Sequence, residues 1–178
     1  MSILVTYHSR TGNTRKVAEA IHRALGGETV LLALDARADV ERYDLIFIGF
    51  PIHESGPSPE AETFIRSLPK GKRIALFVTQ AAPTDAPIAS RQVDRCGQAA
   101  IDKELLGIYA CRGELSEETA RRMAASSNKM LRAFGSMRDQ TLGHPDIAEI
   151  EGAVRFAWAL ASPKHCRLNT DASTPANV

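Results

Sequence analysis

The strongest constraint on how this chain can fold is an alternation. Short apolar, β-branched runs are each followed by a segment whose apolar residues recur at helical spacing. Ile3-Leu4-Val5 comes first, then Val17, Ala18, Ala20, Ile21, Ala24 and Leu25 at that spacing, with Gly26-Gly27 closing the helix. A second strand at 29–32 leads through a polar connector, 35–41, to a third at 45–49 that is apolar on both faces, as a central parallel strand should be. Ser58 reads as an N-cap with Pro59 at the first helical position, and Phe64, Ile65 and Leu68 give that helix its buried stripe. A fourth strand at 74–78, a helix over about 87–103 and a fifth strand at 105–110 follow. A further helix runs from Ser116-Glu117-Glu118 to about Phe134. Asp146 and Glu149, at capping-box spacing, open a last one to about Leu160.

Strands alternating with helices imply right-handed βαβ units and a parallel sheet covered on both faces. Ligands of such open sheets sit outside the carboxyl ends of the strands, at the switch point. Three loops follow strand ends and therefore converge in space: Ser9-Arg10-Thr11-Gly12-Asn13-Thr14, Phe50-Pro51-Ile52-His53, and Thr79-Gln80-Ala81-Ala82. The domain is expected over residues 1–162, with a polar, disordered tail over 163–178.

Composition narrows the function by exclusion. A net charge of +1, evenly spread, argues against nucleic-acid binding, which calls for a basic patch or excess. No apolar stretch approaches the roughly 18 residues of a membrane span, and the N-terminus lacks a secretory pattern, so a cytoplasmic location is expected. Cys96, Cys111 and Cys166 form no C-x-x-C pair and the five histidines are scattered, so neither a metal site nor a dithiol centre is expected.

The first loop carries the clearest chemistry. Where a strand ends and a helix begins, backbone N–H groups lack intrahelical partners, and the positive end of the helix dipole faces whatever binds there. Hydroxyls of Ser9, Thr11 and Thr14, with the N–H groups of residues 10–14, suit a terminal phosphate monoester. A Walker-type loop would need a lysine after its last glycine, and a G-x-G-x-x-G loop would need more glycines. The competing reading is a simple helix cap, since Ser and Thr are common there.

Ser9-Arg10-Thr11-Gly12-Asn13-Thr14 after a first strand resembles the flavodoxin phosphate-binding loop, [ST]-x-T-G-x-T. Gly49-Phe50-Pro51-Ile52-His53 and Thr79-Gln80-Ala81 fall where flavodoxins contact the isoalloxazine ring, and Gly143-His144-Pro145-Asp146 also resembles a flavodoxin-family segment. The resemblance covers residues 1 to about 160. It implies a flavodoxin-like, doubly wound five-stranded parallel sheet of order 2-1-3-4-5, bound FMN, and the short-chain type without an insert in the fifth strand.

The same resemblance implies an electron-transfer protein that docks redox partner proteins at the flavin edge. It leaves two alternatives, an FMN-dependent NAD(P)H or quinone-type reductase and an accessory protein for one enzyme. Flavodoxins commonly sandwich the flavin between aromatic rings. Here His53 stands at the second-loop position, and residues 79–88 hold no aromatic, which favours an open ring face and the reductase. Glu54 follows His53 where a glycine would let the peptide turn, so one-electron reduction should stop less cleanly than in flavodoxins. Glu54 and Asp85 are the acids expected near the ring, which predicts a less negative potential than in strongly acidic flavodoxins. No catalytic acid or base is assigned, with His53, Tyr7 and His8 the nearest groups.

Overall fold

The computed structural model describes residues 1–34, 39–53 and 55–162. The polar connector in part, Glu54, and the tail with Cys166 lie outside them. Five parallel strands, β1 (Ile3–Tyr7), β2 (Thr29–Ala33), β3 (Leu45–Pro51), β4 (Arg73–Gln80) and β5 (Glu104–Arg112), form one sheet in the order β2-β1-β3-β4-β5. This is the order the family resemblance implied. Registers pair Val5 with both Leu31 and Phe47, and Phe47 with Ala75.

The period of two along each strand divides the core between two faces. Leu4, Ile46, Ile48, Phe50, Ile74, Leu76 and Val78 point to one side. There they meet α2 (Pro59–Ser67) through Phe64 and Ile65, and α3 (Pro87–Gln98) through Cys96. Val5, Leu45, Phe47, Ala75 and Phe77 point to the other side. They pack on α1 (Asn13–Leu25) through Val17, Ala18 and Ile21, and on α6 (Ile147–Ala161) through Ala153, Ala157 and Leu160. One close approach is fixed by a glycine. A Cβ at Gly49 would lie 2.0 Å from the ring of Phe77, which is fully buried.

The structure departs from the expected elements in three places. The helix expected over 116–134 is an antiparallel pair, α4 (Glu117–Ala124) and α5 (Lys129–Ser136). Small polar side chains break it by offering the backbone other partners: Ser126 Oγ accepts from Asn128 N–H, and Asn128 Oδ1 accepts from Met130 N–H. The pair then crosses at Gly135, where a Cβ would come within 2.7 Å of the Ala120 carbonyl oxygen and the Ala124 nitrogen. Second, α3 stops at Gln98 rather than near 103, and Lys103 turns inward instead. Its Nζ, almost fully buried, donates to the Leu68 carbonyl at 2.7 Å and to Asp102 at 2.9 Å. Third, β4 runs on through Thr79 and Gln80, both buried, so the third loop begins at Ala81.

The chain leaves and re-enters the scaffold on either side of this helical pair. Glu114 N–H donates to the His144 carbonyl at 2.9 Å, Gly143 N–H to a Glu114 carboxylate oxygen at 3.2 Å, and Leu115 N–H to Thr141 Oγ1 at 3.0 Å. Asp146 and Glu149 close the expected capping box of α6. Glu149 also accepts from Arg112 N–H at 2.8 Å and meets His144 Nδ1 at 2.6 Å.

Candidate functional site

At the carboxyl ends of β1, β3 and β4 lies a cavity of about 630 Å³. That volume falls within the roughly 300–1,000 Å³ typical of small-molecule sites. The first loop forms one end of it. Gly12 is the N-cap of α1 at φ 92°, a left-handed conformation that costs glycine nothing and other residues strain. No side chain caps this helix, and no acidic residue stands in its first turn. By contrast, Ser58, Ser116, Asn128 and Asp146 each accept a backbone N–H at the start of their own helices. The one other uncapped α-helix among the described residues, α3, opens at Ala86-Pro87 with no hydroxyl at the cap. The hydroxyls of the first loop are therefore not helix caps.

Those hydroxyls shape the loop instead. Ser9 Oγ accepts from Gly12 N–H at 3.1 Å, and Thr11 Oγ1 accepts from the Asn13 amide at 3.2 Å. Both remain free to donate outward. Thr14, fully buried, shares a hydrogen bond of 2.9 Å with Thr79 across the sheet. Asn13 also donates to the Glu114 carbonyl at 2.8 Å, and a Cβ at Gly113 would crowd the same amide at 2.8 Å. Loop, fourth strand and the segment after β5 are thereby locked together.

Of the residues expected at the site, Ser9, Arg10, Thr11, Asn13 and Thr14 line the cavity from the first loop, and Gly12 sets its bend from behind. Pro51, Ile52 and His53 line it from the second. His53 begins a tight turn, exchanging backbone hydrogen bonds with Gly56 at 2.9 and 3.0 Å. Thr79, Gln80, Ala81 and Ala82 line it from the fourth strand and its loop. Phe50 is placed differently from the expectation. Strand alternation turns it into the core with no exposure, away from the cavity. Gln80 is 6% exposed, and neither atom of its side-chain amide has a partner among the described residues.

Of the groups considered as acid or base, His8 lines the cavity, with Nε2 3.8 Å from Glu60, while Tyr7 packs against the core. A hydrogen bond from its own backbone N–H holds Glu60 below the ordinary carboxylate range, with His8 adding to the effect. The acids facing the cavity also differ from expectation. Glu60, Glu114 and Glu118 line it and Asp85 does not, while Arg10 and Arg122 supply the positive charge. Helical and post-strand residues deliver these groups, and loop composition alone gave no sign of them.

Sequence reasoning missed a whole wall. Thr119 and Met123 of α4 and Met130, Leu131 and Phe134 of α5 face the same cavity. The available signals were the Ser126-Ser127-Asn128 break and Gly135. Neither Cys96 nor Cys111 lines the cavity, and burial pushes both thiols up to about 12.

The chain's likeness to known proteins agrees with this geometry. A family model for the flavodoxin domain matches residues 4–157. The flavodoxin-like domain-containing protein BilS of Clostridioides difficile (strain CD3) is 27% identical over 167 residues, covering 88% of this chain and 94% of that protein. Oxidised flavodoxin 2 from Bacillus cereus superposes with a TM-score of 0.57 at 22% identity, over 90% of this chain and 98% of its own. A flavoprotein from Lactobacillus acidophilus NCFM, solved in complex with FMN, gives 0.51 at 22% identity over 61% of this chain and 92% of its own. With a sheet of order 2-1-3-4-5, an uncapped helix opening the first loop, and a family match spanning nearly the whole described chain, the protein belongs to the flavodoxin domain family.

Proposed function

We propose that this protein binds FMN in the cavity at the strand ends and passes electrons to redox partner proteins at the exposed edge of the flavin. The observation that carries the reading is the uncapped start of α1. Its free N–H groups, the outward-donating hydroxyls of Ser9 and Thr11, and the adjacent Arg10 are what a phosphate monoester requires. Gln80 supports it from the other end. A buried amide without partners costs about 1–3 kcal/mol, and a bound ring with donors and acceptors on its edge removes that cost.

When bound, FMN supplies the redox chemistry, and the chain supplies position and electrostatics. Ser9 to Thr14 would hold the phosphate, Ile52, His53, Gln80 and Ala81 would flank the ring, and Glu60, Glu114 and Glu118 would set the field around it. No described helix is long and apolar enough to cross a membrane.

A second reading, a reductase of small molecules, is favoured by the extent of the cavity. It continues past the loops to the α4–α5 pair, where Met130 is 61% exposed and leaves room for a substrate.

One absorbance spectrum of the purified protein followed by anaerobic mixing with NADPH tests both. A flavin spectrum that NADPH alone leaves oxidised supports the carrier. Rapid bleaching supports the reductase, and a colourless protein that takes up no added FMN defeats both.

A further inference from the structure

The loop after β4 offers the cavity only small side chains, Ala81 and Ala82. Among the described residues facing the cavity, the one phenylalanine, tyrosine or tryptophan is Phe134, which comes from α5, more than fifty positions further along the chain. Met123, Met130 and Leu131 surround it on the same face. Phe134 is half-buried, whereas Met130 and Leu131 are exposed at 61% and 38%. Long, unbranched and polarizable thioethers beside an aromatic ring make a surface that adapts to a flat apolar body.

The hairpin that carries this face is not loosely attached. Its two helices meet at Gly135, and its root is pinned by the Asn13 amide on the Glu114 carbonyl. The phosphate loop is thereby tied to the segment that leads into the hairpin. A ligand anchored at Ser9 to Thr14 lies in the same cavity that Phe134 and the methionines line.

We infer that the α4–α5 hairpin is the missing wall of the ring site: Phe134, with Met123 and Met130, contacts the isoalloxazine of bound FMN where the β4 loop has no side chain to do so. This rests on the FMN reading above. It assigns the contact to a helical pair outside the strand-end loops, and it makes the alanines at 81 and 82 a complement to Phe134, since a bulky side chain there would compete for the same space.

Titration of the apo-protein with FMN, followed by flavin fluorescence, visible-region circular dichroism and iodide quenching of the bound flavin, tests the inference. Phe134→Ala should weaken FMN on the order of tenfold, change the visible dichroism and raise iodide access, and Phe134→Trp should restore all three. Gly135→Val, which drives a side chain into Ala120 and Ala124, should splay the hairpin and reproduce the loss. Urea unfolding of each variant separates lost contact from lost fold. If the wild-type protein binds FMN but Phe134→Ala and Gly135→Val bind it within twofold with unchanged dichroism and quenching, the inference is overturned and the FMN reading stands. If the wild-type protein binds no FMN, both fall.

Discussion

The two ends of the cavity are built in opposite ways. At the Ser9–Thr14 end the protein presents backbone, held by Gly12 at φ 92°, by Thr14 on Thr79 and by Asn13 on Glu114. At the α4–α5 end it presents long apolar side chains, much exposed, on a hairpin outside the sheet's core. The first end can recognise one chemical group and little else, because hydrogen-bond donors fixed in the backbone do not adapt. The second selects on shape and apolarity, and it can be altered without touching the first. A site divided this way keeps its anchor constant and leaves its fit adjustable.

The contrast is easiest to break through the scaffold beneath the anchor. Gly49→Val should destabilise the fold by about 3 kcal/mol in urea unfolding, because its side chain would occupy the space of the Phe77 ring in a closed core. A loss well under 1 kcal/mol would mean that the scaffold adapts as readily as the hairpin.

Alkaline pH should act on the scaffold next. Burial raises Cys96 and Cys111 from 9.0 to about 12 and Tyr109 from 10.0 to about 12, with nearby negative charge assisting at Cys111 and Tyr109. Each group stays protonated in the folded protein while the unfolded chain ionises, so their contribution is complete below pH 9 and lost as pH rises toward about 12. Unfolding at pH 8 and pH 10 should differ by about 3 kcal/mol, nearly all of it from the two cysteines. All three residues lie in α3 and β5 and none in the hairpin, so a flat profile would mean that water reaches the Cys96 and Cys111 thiols in the folded protein.

At the anchor itself, Gly12→Val forces a β-branched residue to positive φ and should weaken FMN roughly tenfold while leaving riboflavin binding nearly unchanged. Equal losses for the two ligands would show that this end does not read the phosphate. The smallest effect is expected at the adaptable end. Met130→Ser should change stability by less than about 0.5 kcal/mol, since an exposed side chain leaves no cavity behind.

The same contrast explains what could be read in the sequence. The parallel sheet was legible because strand runs such as 45–49 must be buried on both sides, and that pattern is local, whereas its strand order came only with the family resemblance of the first loop. The first loop was legible because its chemistry lies in six consecutive residues. The hairpin was not, because its apolar spacing continues smoothly from Glu117 to Phe134 and only Ser126-Ser127-Asn128 interrupts it. Helical periodicity says which face is apolar, and it cannot say that the face turns back on itself. Phe50 misled for a related reason. Loop position suggested contact with a ligand, but β3 continues through it, and alternation along that strand decided which way it faces.

The hydrogen bonds among Glu114, Leu115, Thr141, Gly143 and His144 carry one more consequence. They bring the departure and the return of the chain side by side, and with the Arg112 side chain on the Gln140 carbonyl they leave the α4–α5 pair between them as a detour. Such a detour behaves as a cassette. Replacing residues 117–136 would leave the hydrogen bonds of that clamp in place, a route by which this fold could take on a new ligand wall without refashioning the frame that holds the phosphate.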